Sequence, residues 1–157
     1  MVKKSINFLV FPLIVAISTG CAKNKSCKPN PVANEVSQIL AFAAEHSIIA
    51  TAHSSGLYYE IISMGTGPKA NASSKISITY TGKFMNWKTF DEQPAPNVKA
   101  WALNGLIQGW KIGIPLINEG GHIKLIVPSS LAYGCEPYYE IPGNSVLYFD
   151  IYLVDVQ

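Results

Sequence analysis

The 157-residue chain predicts an α+β domain: an antiparallel β-sheet with one short helix against it, preceded by a short N-terminal helix. Two observations carry this. "KISITY" (75–80) and "SVLYFDIYLVDV" (145–156) alternate apolar and polar residues with the period of a half-buried strand. Among the strand-like runs, the only helical stretch is "LNGLIQGWKIGIP" (103–115). One short helix against one antiparallel sheet, with one face on a core and one partly wet, is an α+β layout.

The N-terminus is set apart from that domain. Lys3 and Lys4 precede an apolar run from Phe8 to Ile17, and small residues follow in "STGC". This order of charged, apolar and small residues is that of a secretory signal peptide, and the run is shorter than the roughly 20 residues a spanning helix needs. "STGC" resembles the lipobox of bacterial lipoproteins, with Ser18 where leucine is usual. The resemblance implies a signal peptide over 1–20, a lipid on Cys21 and a membrane-anchored lipoprotein of the cell envelope. No acidic residue directly follows Cys21, which favours the periplasmic face. Residues 21–33 are polar, basic and proline-containing and predict a flexible tether.

A helical pattern starts at Asn34, a plausible N-cap, and places Val36, Ile39, Leu40 and Ala43 on one stripe. This helix and its linker occupy 34–54. The helix is expected to pack on its own domain rather than pair with a second copy, leaving a monomer. The domain itself occupies 55–157. "LYYEII" predicts a strand ended by the turn signal "GTGP". "KISITY" places Ile76, Ile78 and Tyr80 on one face, and "KTF" leads into the proline-containing loop "DEQPAPN". "HIKLIVP" predicts another strand. The final run puts Leu147, Phe149, Ile151 and Leu153 on one face and Tyr148, Asp150, Tyr152 and Val154 on the other.

Charge and residue types exclude several functions. Without Lys3 and Lys4 the lysines equal the acidic residues in number, and the chain has no arginine, so a nucleic-acid reader is not expected. His46, His53 and His122 lie far apart with no metal-ligand spacing around them. Cys27 and Cys135 can pair in an exported protein, but one lies in the tether and the other in a loop, and the sequence leaves their pairing open.

The chemistry is carried by an ordered set of short motifs: "YTG" (80–82), "FD" (90–91), "WALNGLIQGW" (101–110), "GHIKLIVP" (121–128), "LAYG" (131–134), "IPGNS" (141–145) and "LYFD" (147–150). Together, in this order, they resemble the FKBP-type peptidyl-prolyl cis-trans isomerases over about residues 55–157. The resemblance implies a curved antiparallel sheet wrapped around the short helix, with an apolar pocket for a proline ring between them. It implies that Tyr80, Phe90 and Asp91 line one side, Trp101 forms a wall, and Leu106 and Ile107 lead to a Trp110 floor. Tyr133, Ile141 and Phe149 complete the enclosure. The Ile107 N–H and the Tyr133 hydroxyl would face substrate carbonyls, and Asp91 would be hydrogen-bonded at the pocket edge rather than act as acid or base. Rotation about an X–Pro bond breaks no covalent bond, so no cofactor or metal is expected. The implied partners are proline-containing unfolded or exported polypeptides. The implied function is assistance to their folding; the alternative is a chaperone or binding module using the same pocket with little turnover.

The sequence departs from the family at defined places. Asn86-Trp87 stands where an Asp-Gly pair usually turns the hairpin. A tryptophan at positive φ is unfavourable, so a different turn is expected. The loop "CEPYYEIPG" (135–143) puts Tyr138 and Tyr139 where small residues are usual, with Gly143 where a second proline is common. Lys99 replaces an aromatic before Trp101, which thins that wall. Tyr138 and Tyr139 are expected around the pocket rim, and Trp87 either joins them there as a partner or substrate contact or packs along its own strand. Gly109 and Gly113 flank Trp110 and are expected to leave room for it, with Pro115 helping to end the helix.

Overall fold

The computed structural model describes residues 27–97 and 99–157. The stretch 1–20 expected to be a signal peptide, Cys21 and the first part of the expected tether lie outside the described residues. The strands are β1 (Thr51–Ala52), β2 (Tyr58–Ser63), β3 (Lys75–Phe84), β4 (Thr89–Gln93), β5 (Trp101–Ala102), β6 (His122–Val127) and β7 (Leu147–Val156). They form one seven-stranded sheet in the order β1-β2-β6-β7-β3-β4, with β5 pairing on β3, and every pairing is antiparallel. The sheet is curved and open. Register shifts at Ile61/Ser63, Ser77/Ile78 and Gly82/Lys83 insert the bulges that bend strands and increase their twist.

The alternation read from the two longest strands becomes the two faces of the sheet. Ile76, Ile78, Ile123, Leu125, Leu147, Phe149, Ile151 and Leu153 are buried in one core with Trp110 and Ile114. The short helix α2 (Gln108–Gly113) lies across this concave face. Its two glycines set the approach. A Cβ added to Gly109 would sit 2.5 Å from Val127 Cγ1, and one on Gly113 would sit 2.7 Å from Leu125 Cδ1 and Cδ2. Val127 and Leu125 are fully buried on β6. The bare helix face therefore touches the strand directly, and the room the glycines leave is for the sheet. Pro115 falls in the 3₁₀ turn Ile114–Leu116 that follows.

The other face is covered at one end by the N-terminal helix α1 (Val32–Glu45). Ile39, Phe42 and Ala43 bury against Ile126, Val146 and Tyr148 in a second core. Helix packing on its own domain is therefore what the chain adopts. Two local expectations are corrected. The helix begins at Val32 with Pro31 as its N-cap residue, and Asn34 donates its N–H to the Pro31 carbonyl. The buried stripe is Glu35, Ile39, Phe42 and Ala43, whereas Leu40 is 48% exposed. Phe42 takes the place expected of Leu40 in the contact with the sheet, and the face so turned inward carries the Glu35 carboxylate to Ser129. Tyr148, assigned to the wetter face, is buried because α1 covers it, while Tyr152 and Val154 on the same strand face remain exposed.

Residues 27–31, read as tether, are fastened to the domain. Cys27 and Cys135 form a disulfide with their Cα atoms 5.6 Å apart, and Asn30 N–H donates to Asn144 Oδ1 at 3.0 Å.

The β3–β4 hairpin turns through Met85, Asn86 and Trp87. Phe84 N–H reaches the Lys88 carbonyl, and Trp87 N–H reaches the Phe84 carbonyl. Trp87 alone of the three has a positive φ, 66°. This is a three-residue connection with one left-handed residue, not the two-residue turn an Asp-Gly pair makes. A different turn was expected, but not a tryptophan in that conformation. Its ring explains the tolerance. It stacks on His46 at 3.9 Å and on Tyr148 at 5.5 Å, with Lys83 Nζ 4.2 Å from its centroid. These contacts knit the hairpin to α1, on the side of the sheet opposite α2.

The contact between α2 and β6 leads to one expected outcome. Gly109→Ala lowers unfolding stability by about 1–3 kcal/mol, because the buried Val127 cannot move aside. Gly105→Ala, where an added Cβ meets nothing within 4 Å, is the control and leaves it unchanged or slightly raised. Urea unfolding of both variants checks the contrast.

Candidate active site

Between α2 and the concave sheet face lies a cleft of about 100 Å³ lined by Tyr80, Asp91, Trp101, Leu106, Ile107, Trp110, Tyr133 and Phe149. Phe90 and Ile141 line an adjoining depression of about 170 Å³ that shares Asp91 and Tyr133 and continues over Tyr138, Tyr139 and Glu140. The structure thus brings the predicted site residues together in two contiguous hollows.

Each aromatic is set by its element. Tyr80 and Phe149 come from the inward faces of the neighbouring strands β3 and β7, where Gly82 pairs with Phe149. A Cβ on Gly82 would sit 2.8 Å from Phe90 Cζ and 3.1 Å from Phe149 Cε1, so this glycine lets both rings lie against β3. Trp110, from the first turn of α2, is 5% exposed and still borders the cleft. Tyr80 and Phe149 stand nearly perpendicular to its ring, at 81° and 84°, with centroids 4.9 and 5.2 Å away. Edge-to-face packing of this kind adds attraction beyond area burial. It also fixes a tryptophan floor with upright walls.

The polar groups are few. Tyr80 donates its hydroxyl hydrogen to the Asp91 carboxylate, and Asp91 sits exposed at the cleft edge. Ile107 precedes α2 with extended backbone, φ −58° and ψ 152°. Its carbonyl accepts from Trp110 and Lys111, but its N–H has no partner among the described residues. The Tyr133 hydroxyl is likewise unclaimed among them. The indole N–H of Trp110 is buried without a partner. Burial, reinforced by Asp91, pushes the Tyr80 phenol well above its ordinary range, and burial pushes Tyr133 up as well, with Tyr138 and Asp91 adding to it. Both tyrosines therefore keep their protons at neutral pH.

The loop after "AYG" carries the site's outer wall. Tyr138 stacks on Tyr133 with centroids 4.5 Å apart and planes 12° apart, and Tyr139 stands edge-on to Tyr138 at 4.8 Å. Tyr138 and Ile141 exchange both backbone hydrogen bonds, making a tight turn with Tyr139 at φ 49° and 92% exposed. Tyr138 and Tyr139 thus border the site as expected. Trp87 does not: it belongs to the opposite face of the sheet, which corrects its assignment to the rim. Sequence reasoning missed Glu35 and Ser129, which fasten the start of this loop from α1. No local pattern marks them, since they are 94 positions apart.

Comparison with known proteins agrees with this geometry. The family model for the FKBP-type peptidyl-prolyl cis-trans isomerases matches residues 67–154. The chain is 41% identical over 104 residues to the isomerase FkpA of Buchnera aphidicola from Acyrthosiphon pisum, and 37% identical over 105 residues to FkpA of Escherichia coli. Each match takes in 66% of this chain, but only 43% and 39% of those relatives' own length. Among solved structures, Escherichia coli FkpA superimposes with a TM-score of 0.70 at 32% identity, covering 80% of this chain and 60% of that one. A peptidyl-prolyl cis-trans isomerase from Pseudomonas syringae pv. tomato superimposes with a TM-score of 0.67 at 26% identity, covering 83% and 98%. Motif order, the aromatic cleft beneath the curved sheet and these matches agree, and the chain belongs to the FKBP-type peptidyl-prolyl cis-trans isomerase family.

Proposed function

We propose that this protein catalyses cis-trans isomerisation of X–Pro bonds in exported polypeptides and so assists their folding. The observation that carries the reading is the small cleft walled by aromatic rings, with two donors at its border that have no partner among the described residues, the Ile107 N–H and the Tyr133 hydroxyl. An X–Pro bond isomerises unaided in tens to hundreds of seconds, against a barrier set by amide resonance. A rate on the millisecond scale requires about 5–6 kcal/mol off that barrier. Twisting the amide removes its resonance and much of its polarity. An apolar cleft therefore binds the twisted state better, relative to water, than the planar one, which is differential binding of the transition state. The two donors hold flanking carbonyls and keep the ring in place while the bond turns. No proton changes hands, so Asp91 serves to hold Tyr80 rather than to act as an acid or base.

The same reading includes an envelope location. The N-terminal sequence supports export and a lipid at Cys21, with the periplasmic face favoured, and the Cys27–Cys135 disulfide supports an oxidising compartment. A second reading, a module that holds clients with little turnover, draws on the exposed Tyr138 and Tyr139 beside the cleft.

An X–Pro peptide isomerisation assay on the purified protein decides between them. Wild type accelerates the reaction, and Tyr133→Phe lowers kcat/KM about tenfold without changing the circular dichroism spectrum. Phe149→Ala lowers kcat/KM further and, being a core truncation, also costs about 3–5 kcal/mol of stability. No acceleration by wild type, with aggregation of an unfolded client still suppressed, would establish the holding module instead.

The tyrosine shifts set an alkaline limit on stability. Tyr80 and Tyr148 have folded-state pKa values raised above the ordinary 10.0, so the stability they contribute is complete below about pH 10 and is lost as pH rises through the folded values. The urea midpoint should fall more steeply above pH 10 in wild type than in Tyr80→Phe, which lacks one of these groups. Equal slopes would show that Tyr80 does not contribute.

A further inference from the structure

The loop that carries Tyr133 is joined to a distant part of the chain by three ties, and all three end on residues 27–35. At its start, Ser129 donates its N–H to Glu35 Oε2 at 2.9 Å and its hydroxyl hydrogen to Glu35 Oε1 at 2.5 Å. In its middle, Cys135 is bonded to Cys27. Near its end, Asn144 accepts from the Asn30 N–H at 3.0 Å and donates to the Lys28 carbonyl at 3.1 Å. This arm precedes the stretch matched by the family model, which begins at residue 67.

The Glu35 tie leads directly to the cleft. The Ser129 carbonyl accepts the N–H of Ala132 at 3.1 Å and of Gly134 at 2.8 Å, the residues on either side of Tyr133. A single serine therefore takes both carboxylate oxygens of Glu35 on its donors and orients the backbone flanking Tyr133 with its acceptor. Glu35 is 2% exposed and Ser129 fully buried, and no Lys or His lies within ion-pair distance of Glu35 among the described residues. Burying a carboxylate with no cation is costly unless it is hydrogen-bonded. Here the compensating bonds go to the residue whose carbonyl accepts from both neighbours of Tyr133. The Cys135 and Asn144 ties hold the far side, where Asn144 N–H also reaches the Gly134 carbonyl at 2.8 Å.

We propose that Glu35 is a positioning residue for catalysis: through Ser129 it holds the Tyr133 hydroxyl where a substrate carbonyl can accept from it, which makes the N-terminal arm part of the active site's support. The proposal rests on the isomerase reading given above. A donor at the end of a surface loop loses its value when it is misplaced by an ångström or so, and the stacked Tyr138 is itself half exposed and cannot anchor the loop alone.

A double-mutant cycle in the full chain separates positioning from simple stabilisation. Glu35→Ala and Glu35→Gln are made with and without Tyr133→Phe, and kcat and KM are measured on an X–Pro peptide at a temperature where circular dichroism shows each variant folded. Glu35→Ala is expected to lower kcat/KM about tenfold. Glu35→Gln, whose amide oxygen still accepts from the Ser129 N–H, is expected to lie between it and wild type. In the Tyr133→Phe background the Glu35→Ala loss shrinks to less than about twofold. Amide exchange quickens over 129–135 and stays unchanged in β3 and β7. A loss of equal size in both backgrounds, or a Glu35→Ala variant within about twofold of wild type, overturns the proposal. If Glu35→Ala does not fold, Ser129→Ala takes its place in the same cycle. If wild type itself fails to accelerate isomerisation, the isomerase reading falls. Positioning is then decided by affinity for a proline-containing tetrapeptide, read by isothermal titration calorimetry: the same non-additive pattern upholds it and equal affinities overturn it.

Discussion

A helix of six residues is too short to persist in water on its own backbone hydrogen bonds, so α2 depends on its contact with β6. That contact requires the absence of side chains at positions 109 and 113, which lie one turn apart on the helix and face Val127 and Leu125 on the strand. Much of the concave side follows from this close approach. It presses the first turn of α2 into the curve of the sheet, sets Trp110 under the cleft, and leaves Ile107 ahead of the helix with its N–H outside the ladder. Glycine's poor helix propensity is the cost of the arrangement, and burial of the apolar side chains around α2 offsets it.

The cleft is built from aromatic rings that stand nearly perpendicular to Trp110, and its polar groups are few. Tyr80 and Phe149 each stand edge to face on Trp110 and lie tilted at 57° to one another, and Tyr80 is further held by Asp91. A reaction whose transition state is less polar than its ground state gains from such a site. The donors without a partner among the described residues sit at the border, where, on the proposed reading, they would engage the chain on either side of the turning bond.

The convex side does different work. Helix α1 closes a second, smaller core over Ile126, Val146 and Tyr148, and the same helix delivers Glu35 to Ser129. Trp87 completes this layer by stacking between the hairpin and His46. The sheet thus carries an aromatic cleft on one face and, on the other, a brace whose forward end reaches around to the loop bordering that cleft.

How much of this is legible depends on the range of the interaction. The period-two runs of β3 and β7 announce themselves because alternation is a local property, and the faces they predict for Ile76, Ile78, Phe149 and Ile151 are the faces the core uses. The ordered motifs identify the cleft residues because each motif sits at the end of an element whose path the family fold dictates. Trp87 in the left-handed region defies its local preference, because ring stacking on a helix some forty positions earlier outweighs the backbone cost. Leu40 sits outside and Glu35 inside α1 because the helix packs through Ile39, Phe42 and Ala43, a face that also carries Glu35 to Ser129. The Cys27–Cys135 pairing, the burial of Tyr148 and the support of the Tyr133 loop are of the same kind. The sequence by itself determined the long strands and the short helix, since these follow from local periodicity, and its ordered motifs, through their family resemblance, named the residues that line the cleft. Only the tertiary structure decided how the N-terminal arm is fastened, because that rests on contacts between residues as many as 116 positions apart, which no local pattern encodes.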